Sequence, residues 1–321
     1  MRIAIAGTGN LGVSLWKGLD GTAHEVVALI GDGRQTREPW KRATYPQFGR
    51  FFGGAQSLLG RAARRGVPIH WIDRMTPEEL APIRKANLDL ILVGGFSVIL
   101  KRPILEIPRI GCVNMHSSLL PRHRGPNPFC AAILQGDAET GITFHVVDEG
   151  IDTGAILDQE SFEIGPRDTA YQVYLRACEL AQERVAEVVD NIAREGLRGA
   201  TQDTSRASYD QKPTLNDAWI NWDRPAEELD RLVRAMAPNP MPRFMHRGHV
   251  VTVARTSFDP TPVAHPPGTV LRNSAPAKVA TGLGTLTLNV AFISTPFPWV
   301  WPAPWLPAKL HERLPKEFQM E

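Results

Sequence analysis

Cysteine is scarce in this sequence: its 321 residues include only Cys112, Cys130 and Cys178. The number is odd and no pair has C-x-x-C spacing, which argues against a disulfide framework and against a zinc site. We therefore expect free thiols in a reducing compartment and no bound metal.

Long apolar runs and a strong net charge are also missing. The most apolar stretch, residues 88–100, is too short and too interrupted by polar residues and glycine to span a bilayer. The first residues enter a strand pattern directly, without the features of a signal peptide. The formal net charge of +2 argues neither for nor against a nucleic-acid partner. These absences favour a cytoplasmic protein with no membrane partner, and they leave its oligomeric state open.

The first half of the chain alternates strand-like and helix-like segments. Strands are predicted at residues 3–6, 25–30, 68–71, 88–93 and 109–115, and helices at 11–19, 51–65 and 77–86. This alternation predicts an α/β fold with a Rossmann-like, mostly parallel sheet and helices on both faces. Two further strands, at 141–147 and 155–164, are expected to form an antiparallel pair at one edge, followed by a long amphipathic helix at 169–195.

The second half has a different pattern, which predicts a separate small domain. A short helix at 225–237 precedes β segments at 249–254, 269–272, 278–281 and 285–290, which favours a small OB-like β-barrel. We therefore expect a catalytic domain at 1–196, a linker at 197–223 and the barrel domain at 224–321. Prolines in the tail exclude a regular helix there. The tail tryptophans are expected to cover the barrel or to form a dimer contact, and the alternative is that they line a ligand pocket or a partner surface: Trp299, Trp301 and Trp305.

A glycine motif follows the first strand. Gly7, Gly9 and Gly12 match G-x-G-x-x-G, and Asp32 after the second strand stands where a dinucleotide-binding fold places an acidic residue. Any tight strand-to-helix turn also favours glycine for steric reasons. The motif therefore leaves a nicotinamide-dependent oxidoreductase as a remote alternative.

A stronger set of residues lies at the end of the fifth strand. Asn114 and His116 are two residues apart, so their side chains face the same side where open α/β sheets bind ligands. Asp152, in a glycine-bounded loop, is expected to approach His116. An amide can donate to an oxyanion, a histidine can move a proton, and a carboxylate can raise the pKa of that histidine. The set predicts acyl transfer to an amine without a protein nucleophile; the alternative is that Asn114 and His116 merely cap a loop.

Two segments carry a resemblance to a known family. NMHSSLLPRHRG at 114–125 and DEGIDTG at 148–154 resemble the signatures N-x-H-x-S-L-L-P-x-x-x-G and D-x-G-x-D-T-G of the folate-dependent formyltransferases. That family includes methionyl-tRNA, amino-sugar and glycinamide ribonucleotide formyltransferases and the hydrolase domain of formyltetrahydrofolate dehydrogenase. NWDRPAEEL at 221–229 resembles the linker to the family's C-terminal domain, so the resemblance extends over nearly the whole chain.

The resemblance implies 10-formyltetrahydrofolate as the formyl donor and Asn114, His116 and Asp152 as catalytic residues. Asn114 and protonated His116 would stabilise the oxyanion, and Asp152 would orient His116. The resemblance places the pterin pocket at Gly95, Phe96, Ser97, Val98, Ile99, Leu100, Val147, Asp148, Glu149 and Gly150. We expect the acceptor to lie near Thr8, Gly9, Asn10, Ser118, Arg124, Gly125 and Pro126.

The acceptor itself is left open by the sequence. A basic loop at 31–50 could contact tRNA phosphates or be a solvated active-site loop; its cations are Arg34, Arg37, Lys41, Arg42 and Arg50. The tRNA enzymes usually have G-T-P-x-F-A where this chain has GTGNLG, and R-W-R-G-A-A-P where it has RHRGPNP, and the Pro/Trp-rich tail replaces their C-terminal signature. We therefore expect a small-molecule amine such as an amino sugar or a hydroxylamino acid. Initiator tRNA is less favoured, and water, with hydrolysis of the formyl donor, is a further alternative.

Overall fold

The computed structural model describes residues 1–36, 41–42, 44, 46–47, 57–246 and 248–293. Arg37 and Arg50 of the basic loop lie outside the described residues, as do the three tail tryptophans and the start of the helix predicted at 51–65. The described residues form two compact units.

The larger unit comprises Met1–Pro128, Glu139–Glu163 and Tyr174–Asp210. Within the described residues it contains a seven-stranded sheet in the order β3-β2-β1-β4-β5-β6-β7. The first five strands run parallel and the last two are antiparallel, as predicted. The strands are β1 (Arg2–Gly7), β2 (Glu25–Asp32), β3 (Ile69–Ile72), β4 (Leu90–Gly94), β5 (Gly111–His116), β6 (Glu139–Val146) and β7 (Ile156–Glu163).

Helices accompany these strands. They are α1 (Gly9–Gly18), α2 (Leu58–Arg65), α3 (Pro77–Lys85), α4 (Arg102–Leu105) and α6 (Ala170–Glu195), whose first four residues belong to the smaller unit. Helix α5 (Pro128–Gln135) belongs to the smaller unit except for its first residue. Helix α3 begins with a capping box, in which the Thr76 hydroxyl and the Glu79 carboxylate each accept a hydrogen bond from the other residue's backbone N–H. None of the helices in the described part of the chain combines the length and apolarity that a membrane span needs.

Two apolar cores lie on opposite faces of the larger unit's sheet. Ile3 and Ile5 belong to the core that includes residues of α1 and α6. Ala4 and Ala6 belong to the core that includes residues of α3. Successive residues of a strand point to opposite faces, so these buried runs show that both faces of the sheet are covered.

The smaller unit comprises Phe129–Ala138, Ile164–Val173 and Gln211–Glu321. Among its described residues, an antiparallel five-stranded sheet has the order β10-β11-β12-β9-β8. Helix α7 (Ala226–Met236) packs against β9 and β12. The strands are β8 (Arg243–His246), β9 (His249–Asp259), β10 (Val270–Arg272), β11 (Ala277–Ala280) and β12 (Thr285–Ile293). The fold class predicted from the sequence is thus confirmed, although β8 was missed because its four residues are too few for a clear pattern.

The segment that follows α6 is more ordered than its composition suggested. Ile156 and Ala200 exchange backbone hydrogen bonds of 2.8 Å each. The Arg124 N–H donates to the Ser208 carbonyl oxygen and the Asp210 N–H donates to the Arg124 carbonyl oxygen, both at 2.9 Å. Backbone hydrogen bonds rather than apolar side chains hold residues 200–210, so a search for apolar runs misses them.

Candidate active site

Strands β5 and β6 bring an amide and two imidazoles together. Asn114 and His116 lie at the carboxyl end of β5. Asn114 is paired with Val93 of β4 and, across the antiparallel edge, with His145 of β6. Residues directly opposite each other on neighbouring strands have adjacent side chains, so the register places His145 beside Asn114.

Asp152 completes the group from the loop between β6 and β7. Its Oδ2 lies 3.6 Å from His116 Nδ1, and its Oδ1 lies 3.4 Å from Asn114 Nδ2. The Asp148 carboxylate shapes this loop by accepting hydrogen bonds from the Gly150 N–H at 3.0 Å and the Thr153 hydroxyl at 2.7 Å. The structure therefore brings Asn114, His116 and Asp152 together.

The protonation state of His116 follows from its partner and its burial. His116 Nε2 lies 2.8 Å from the carbonyl oxygen of His123, which can only accept, so Nε2 carries the proton. Burial lowers the pKa of His116 by more than the charge of Asp152 raises it. The expected effect of Asp152 on this pKa is therefore present, but burial outweighs it and the net shift is downward. His116 is neutral at pH 7, and its unprotonated Nδ1 faces Asp152.

The Asp152 side chain is ionised in the same environment. Burial alone would raise its pKa, but the contact with His145, the nearby His116 and the Gly125 N–H together lower it to about 2. The Gly125 N–H donates to Oδ2 over 2.9 Å. A neutral base and a fixed anion thus lie side by side, and together they can hold a positive charge that forms on the imidazole.

Gly125 is required here for a steric reason. Its φ is +112°, and a Cβ at this position would lie 2.4 Å from the carbonyl oxygen of Asp210. A side chain would therefore displace the strand-like pairing of Arg124 with Tyr209 and move the N–H that binds Asp152. This explains why the motif at 114–125 ends in glycine.

Sequence reasoning missed the residues that support Asn114, His116 and Asp152. His145 Nδ1 donates to the Val146 carbonyl oxygen at 2.8 Å, and its Nε2 lies 3.1 Å from Asn114 Nδ2. His123 Nδ1 lies 2.7 Å from Asp210 Oδ2. Only the β5–β6 register would have identified His145, and Asp210 lies in the segment predicted to be a linker.

The residues predicted to form the pterin pocket lie in two segments that share one apolar cluster. Val98 and Leu100 are buried in the cluster that includes the Ala4 face of the sheet, and Phe96 and Val147 pack against it. The Ile99 side chain is 62% exposed. Burial assigns Val98 and Leu100 to the core, whereas the apolar side chain of Ile99 between them is open to solvent.

The polar members of the same segments have partners within the protein. The Ser97 hydroxyl donates to Asp32. The Gly95 carbonyl oxygen accepts from the Thr8 hydroxyl at 2.6 Å, which joins the β1–α1 turn to the loop after β4. Asp148, Glu149 and Gly150 are exposed. The donor-binding role of these segments stays a prediction.

The residues predicted to lie near the acceptor differ in exposure. Gly9 and Pro126 are exposed, Thr8 and Asn10 are half-buried, and Ser118 is fully buried. The Ser118 hydroxyl donates to the Arg122 carbonyl oxygen at 2.7 Å, so this side chain shapes the loop and is not open to a ligand.

The opening glycine motif has a structural explanation. A Cβ on Gly7 would lie 2.5 Å from the Gly94 carbonyl oxygen, so β1 and β4 can approach only without a side chain there. At the start of α1, the Leu11 N–H donates to the Tyr174 hydroxyl at 3.3 Å. Asp32 is buried and bonded to Arg34, with 3.0 Å between Oδ2 and Nη2. The groups that would hold a dinucleotide are thus engaged with the protein itself, which gives the oxidoreductase alternative no support.

The same ion pair changes the interpretation of the basic loop. The guanidinium of Arg34 is held by Asp32, whose pKa is lowered to about 2 although burial by itself would raise it. Arg34 is therefore less available to a phosphate than its position in the sequence suggested.

Among the described residues, no group of three or more His, Cys, Asp or Glu side chains is arranged to hold a metal ion.

Comparison with protein families gives two matches that together include most of the chain. Residues 1–189 match the family described as formyl transferase, and residues 212–292 match the family described as formyl transferase, C-terminal domain. The first match contains Asn114, His116 and Asp152.

Curated relatives have similar length. A protein named methionyl-tRNA formyltransferase from Thiobacillus denitrificans is 36% identical over 294 residues, which are 90% of this chain and 91% of that protein. The protein of that name from Methylococcus capsulatus is 33% identical over 291 residues, which are again 90% of this chain and 91% of that protein.

Among solved structures, an N-formyltransferase from Helicobacter canadensis, crystallised with folinic acid and dTDP-3-aminofucose, is similar in fold. Its TM-score is 0.67 at 20% identity, and the match includes 90% of this chain and 99% of that chain.

Proposed function

Because the chain belongs to the formyl transferase family, we propose that this formyltransferase takes its formyl group from 10-formyltetrahydrofolate and that Asn114, His116 and Asp152 carry out the transfer. The observation that carries the proposal is the contact of a neutral, buried His116 with an ionised Asp152 beside the Asn114 amide. These are the groups that a direct attack by an amine on a formyl carbon requires.

In the proposed reaction, a neutral amine of the acceptor attacks the formyl carbon and a new C–N bond forms. His116 Nδ1 accepts the proton that the attacking nitrogen must lose. Asn114 Nδ2 donates a hydrogen bond to the oxygen that becomes negative. The C–N bond to the donor then breaks, and the imidazolium returns its proton to the departing nitrogen.

Asp152 supports both stages through its charge. It lies 3.6 Å from His116 Nδ1 and stabilises the imidazolium that exists only between proton uptake and proton release. His116 is 6% exposed, so its proton is exchanged with bound substrates rather than with bulk water. Burial thus keeps the ring neutral before the reaction, and Asp152 stabilises it once it is charged.

The chain's own residues fit a folate donor at the edge formed by the segments after β4 and β6. The apolar cluster of Val98, Leu100 and Val147 underlies both segments, and the exposed Ile99 adds apolar surface beside it. A flat, partly apolar ring system suits such a surface, with orientation supplied by neighbouring backbone groups.

We propose the methionyl group of initiator tRNA as the acceptor. Relatives of 32–36% identity that match 90% of this chain are named methionyl-tRNA formyltransferases, and their similarity includes the C-terminal unit. This revises the expectation of a small-molecule amine. A nucleotide-linked amino sugar is the second candidate, because GTGNLG at 7–12 and RHRGPNP at 122–128 depart from the motifs of the tRNA enzymes on the side where the acceptor is expected.

Incubation with 10-formyltetrahydrofolate and three acceptor sets tests this proposal. The sets are charged initiator tRNA, a panel of amino sugars with their nucleotide-linked forms, and buffer alone. We expect a formyl mass gain on methionyl-tRNA, measured by mass spectrometry after nuclease digestion. A gain on sugars alone supports the second candidate, and donor loss in buffer alone supports the hydrolase. No gain and no donor loss would contradict formyl transfer from this donor.

Asn114→Ala is expected to lower kcat by about 10²- to 10³-fold, the usual effect of removing one oxyanion donor, with little change in KM. Steady-state kinetics with saturating formyl donor measure this effect. Asn191→Ala, on the exposed face of α6, is the matched control and keeps normal turnover. Equal kcat values for the two variants would contradict the role of the Asn114 amide.

A further inference from the structure

Gln202 is buried beneath the candidate active site, in the segment whose composition predicts a linker. Its side chain is 5% exposed. The amide Nε2 donates to the carbonyl oxygens of Asp152 at 2.8 Å and Gly154 at 2.7 Å. The amide Oε1 accepts from the Arg124 guanidinium, at 3.2 Å from Nε and 2.7 Å from Nη2. Both donors and both acceptor positions of this amide are therefore used.

These hydrogen bonds form a closed ring with the catalytic carboxylate. Arg124 precedes Gly125, whose N–H donates to Asp152 Oδ2 at 2.9 Å. Gln202 thus holds the backbone of Asp152 through its Nε2. Through its Oε1 it holds Arg124, which is next to Gly125, the residue whose N–H binds the Asp152 carboxylate. Backbone and carboxylate of Asp152 are restrained through the same buried amide.

Asp152 needs such restraint because of its backbone. Its φ is +54°, in the left-handed region that is unfavourable for a residue other than glycine unless its surroundings hold it there. Release of the Asp152 carbonyl would let the residue relax toward negative φ. Such a change would move Oδ2 away from His116 Nδ1, which lies 3.6 Å away.

We propose that Gln202 is a positioning residue for Asp152, one that sets the distance between the Asp152 carboxylate and His116 without touching substrate. The inference rests on the proposed function of Asp152. An amide suits this place because its planar end carries two donors and an acceptor, whereas an ionised carboxylate can only accept.

Gln202→Glu tests the proposal with nearly unchanged side-chain volume. The new carboxylate keeps its partner Arg124 but places an acceptor against the carbonyl oxygens of Asp152 and Gly154. We expect kcat to fall by about 10- to 100-fold, the scale of a small misplacement of a catalytic group, while KM changes little. Gln211→Glu makes the same substitution at an exposed position and keeps the wild-type kcat. If the buried charge prevents folding, Gln202→Met removes the hydrogen bonds without adding charge and is expected to give the same loss.

A double-mutant cycle separates positioning from general stability. In an Asp152→Asn background, Gln202→Met is expected to lower the residual kcat by less than about twofold, because the group that it positions is already gone. A merely structural role predicts the same loss in both backgrounds. That result would overturn the proposal, as would an unchanged kcat in both Gln202 variants.

Amide hydrogen exchange at Gly125 gives a readout that needs no formyl donor or acceptor. We expect exchange to be at least about tenfold faster in Gln202→Met than in the wild type or in Gln211→Glu, because the ring around Asp152 is open. Faster exchange in a protein that transfers no formyl group would refute the proposed function but leave the restraint of Asp152 standing. Unchanged exchange at Gly125 would overturn the inference whatever the activity.

Discussion

Replacing His116 with alanine is expected to lower kcat for formyl transfer by about 10²- to 10⁴-fold, the range for a positioned acid–base residue. The variant loses the nitrogen that faces Asp152 and accepts the amine proton. Steady-state kinetics at saturating donor measure the loss, and circular dichroism with thermal unfolding checks that the fold is retained. His116→Gln, which keeps polar atoms in the cavity but cannot exchange a proton near neutral pH, is expected to lose a similar amount.

The pH dependence of the wild type supplies a second test of His116. Burial lowers its pKa below the ordinary value of 6.5, and the base is active only when neutral. We therefore expect kcat to stay level through neutral pH and to fall only as the pH drops below that value. His249→Ala, a substitution at an exposed histidine, should keep both the rate and the pH profile. Near-normal turnover in His116→Ala, or an acid limb above the ordinary histidine pKa, would contradict the proposed base.

Replacing Asp152 with asparagine is expected to lower kcat by about 10²- to 10⁴-fold as well, because the anion that stabilises the imidazolium is lost while the shape is kept. Asparagine also tolerates the left-handed backbone of this position better than other residues do. The matched control is Asp223→Asn at an exposed position, with kcat expected at the wild-type value. A kcat in Asp152→Asn as high as that of the control would exclude the proposed role of the carboxylate.

The lowered pKa of Asp152 also predicts that the stability of the fold changes with pH. Its pKa is about 2 in the folded protein, below the ordinary value of 3.8 that an aspartate has in an unfolded chain. A group with a lowered folded pKa stabilises the fold fully above the unfolded value, and this contribution is lost as the pH falls through the folded value. The shift corresponds to about 2 kcal/mol in the free energy of unfolding.

Urea unfolding between about pH 2 and pH 5 measures that contribution. The wild type and Asp223→Asn are expected to lose it progressively toward the acid end of this range. Asp152→Asn lacks the carboxyl, so its unfolding free energy is expected to fall less steeply there. Parallel curves for all three proteins would contradict the lowered pKa of Asp152.

Much of the fold was predictable because the signals are local. The β-α-β alternation predicted the parallel sheet, and the parallel pairing of β1 with β2 and β4 confirms it. The burial of Ile3 and Ala4 on opposite faces shows that both sides of this sheet are covered. Segment 200–210 and strand β8 were not predicted, because short stretches held by backbone hydrogen bonds leave little trace in side-chain periodicity. The glycine motif was ambiguous for a related reason: the sequence records that Gly7 lacks a side chain but not which backbone approaches it.

The sequence by itself determined the family, the fold class and the catalytic candidates, because two spaced motifs and a period-two placement of Asn114 and His116 are properties of the chain alone. Only the tertiary structure decided how these residues behave. The β5–β6 register brings His145 to Asn114, and burial makes His116 a neutral base rather than a cation. The fold also brings Gln202, fifty residues beyond Asp152, under the catalytic loop. Charge state and hydrogen-bond partners depend on residues far apart in sequence, and only folding sets the distances between them.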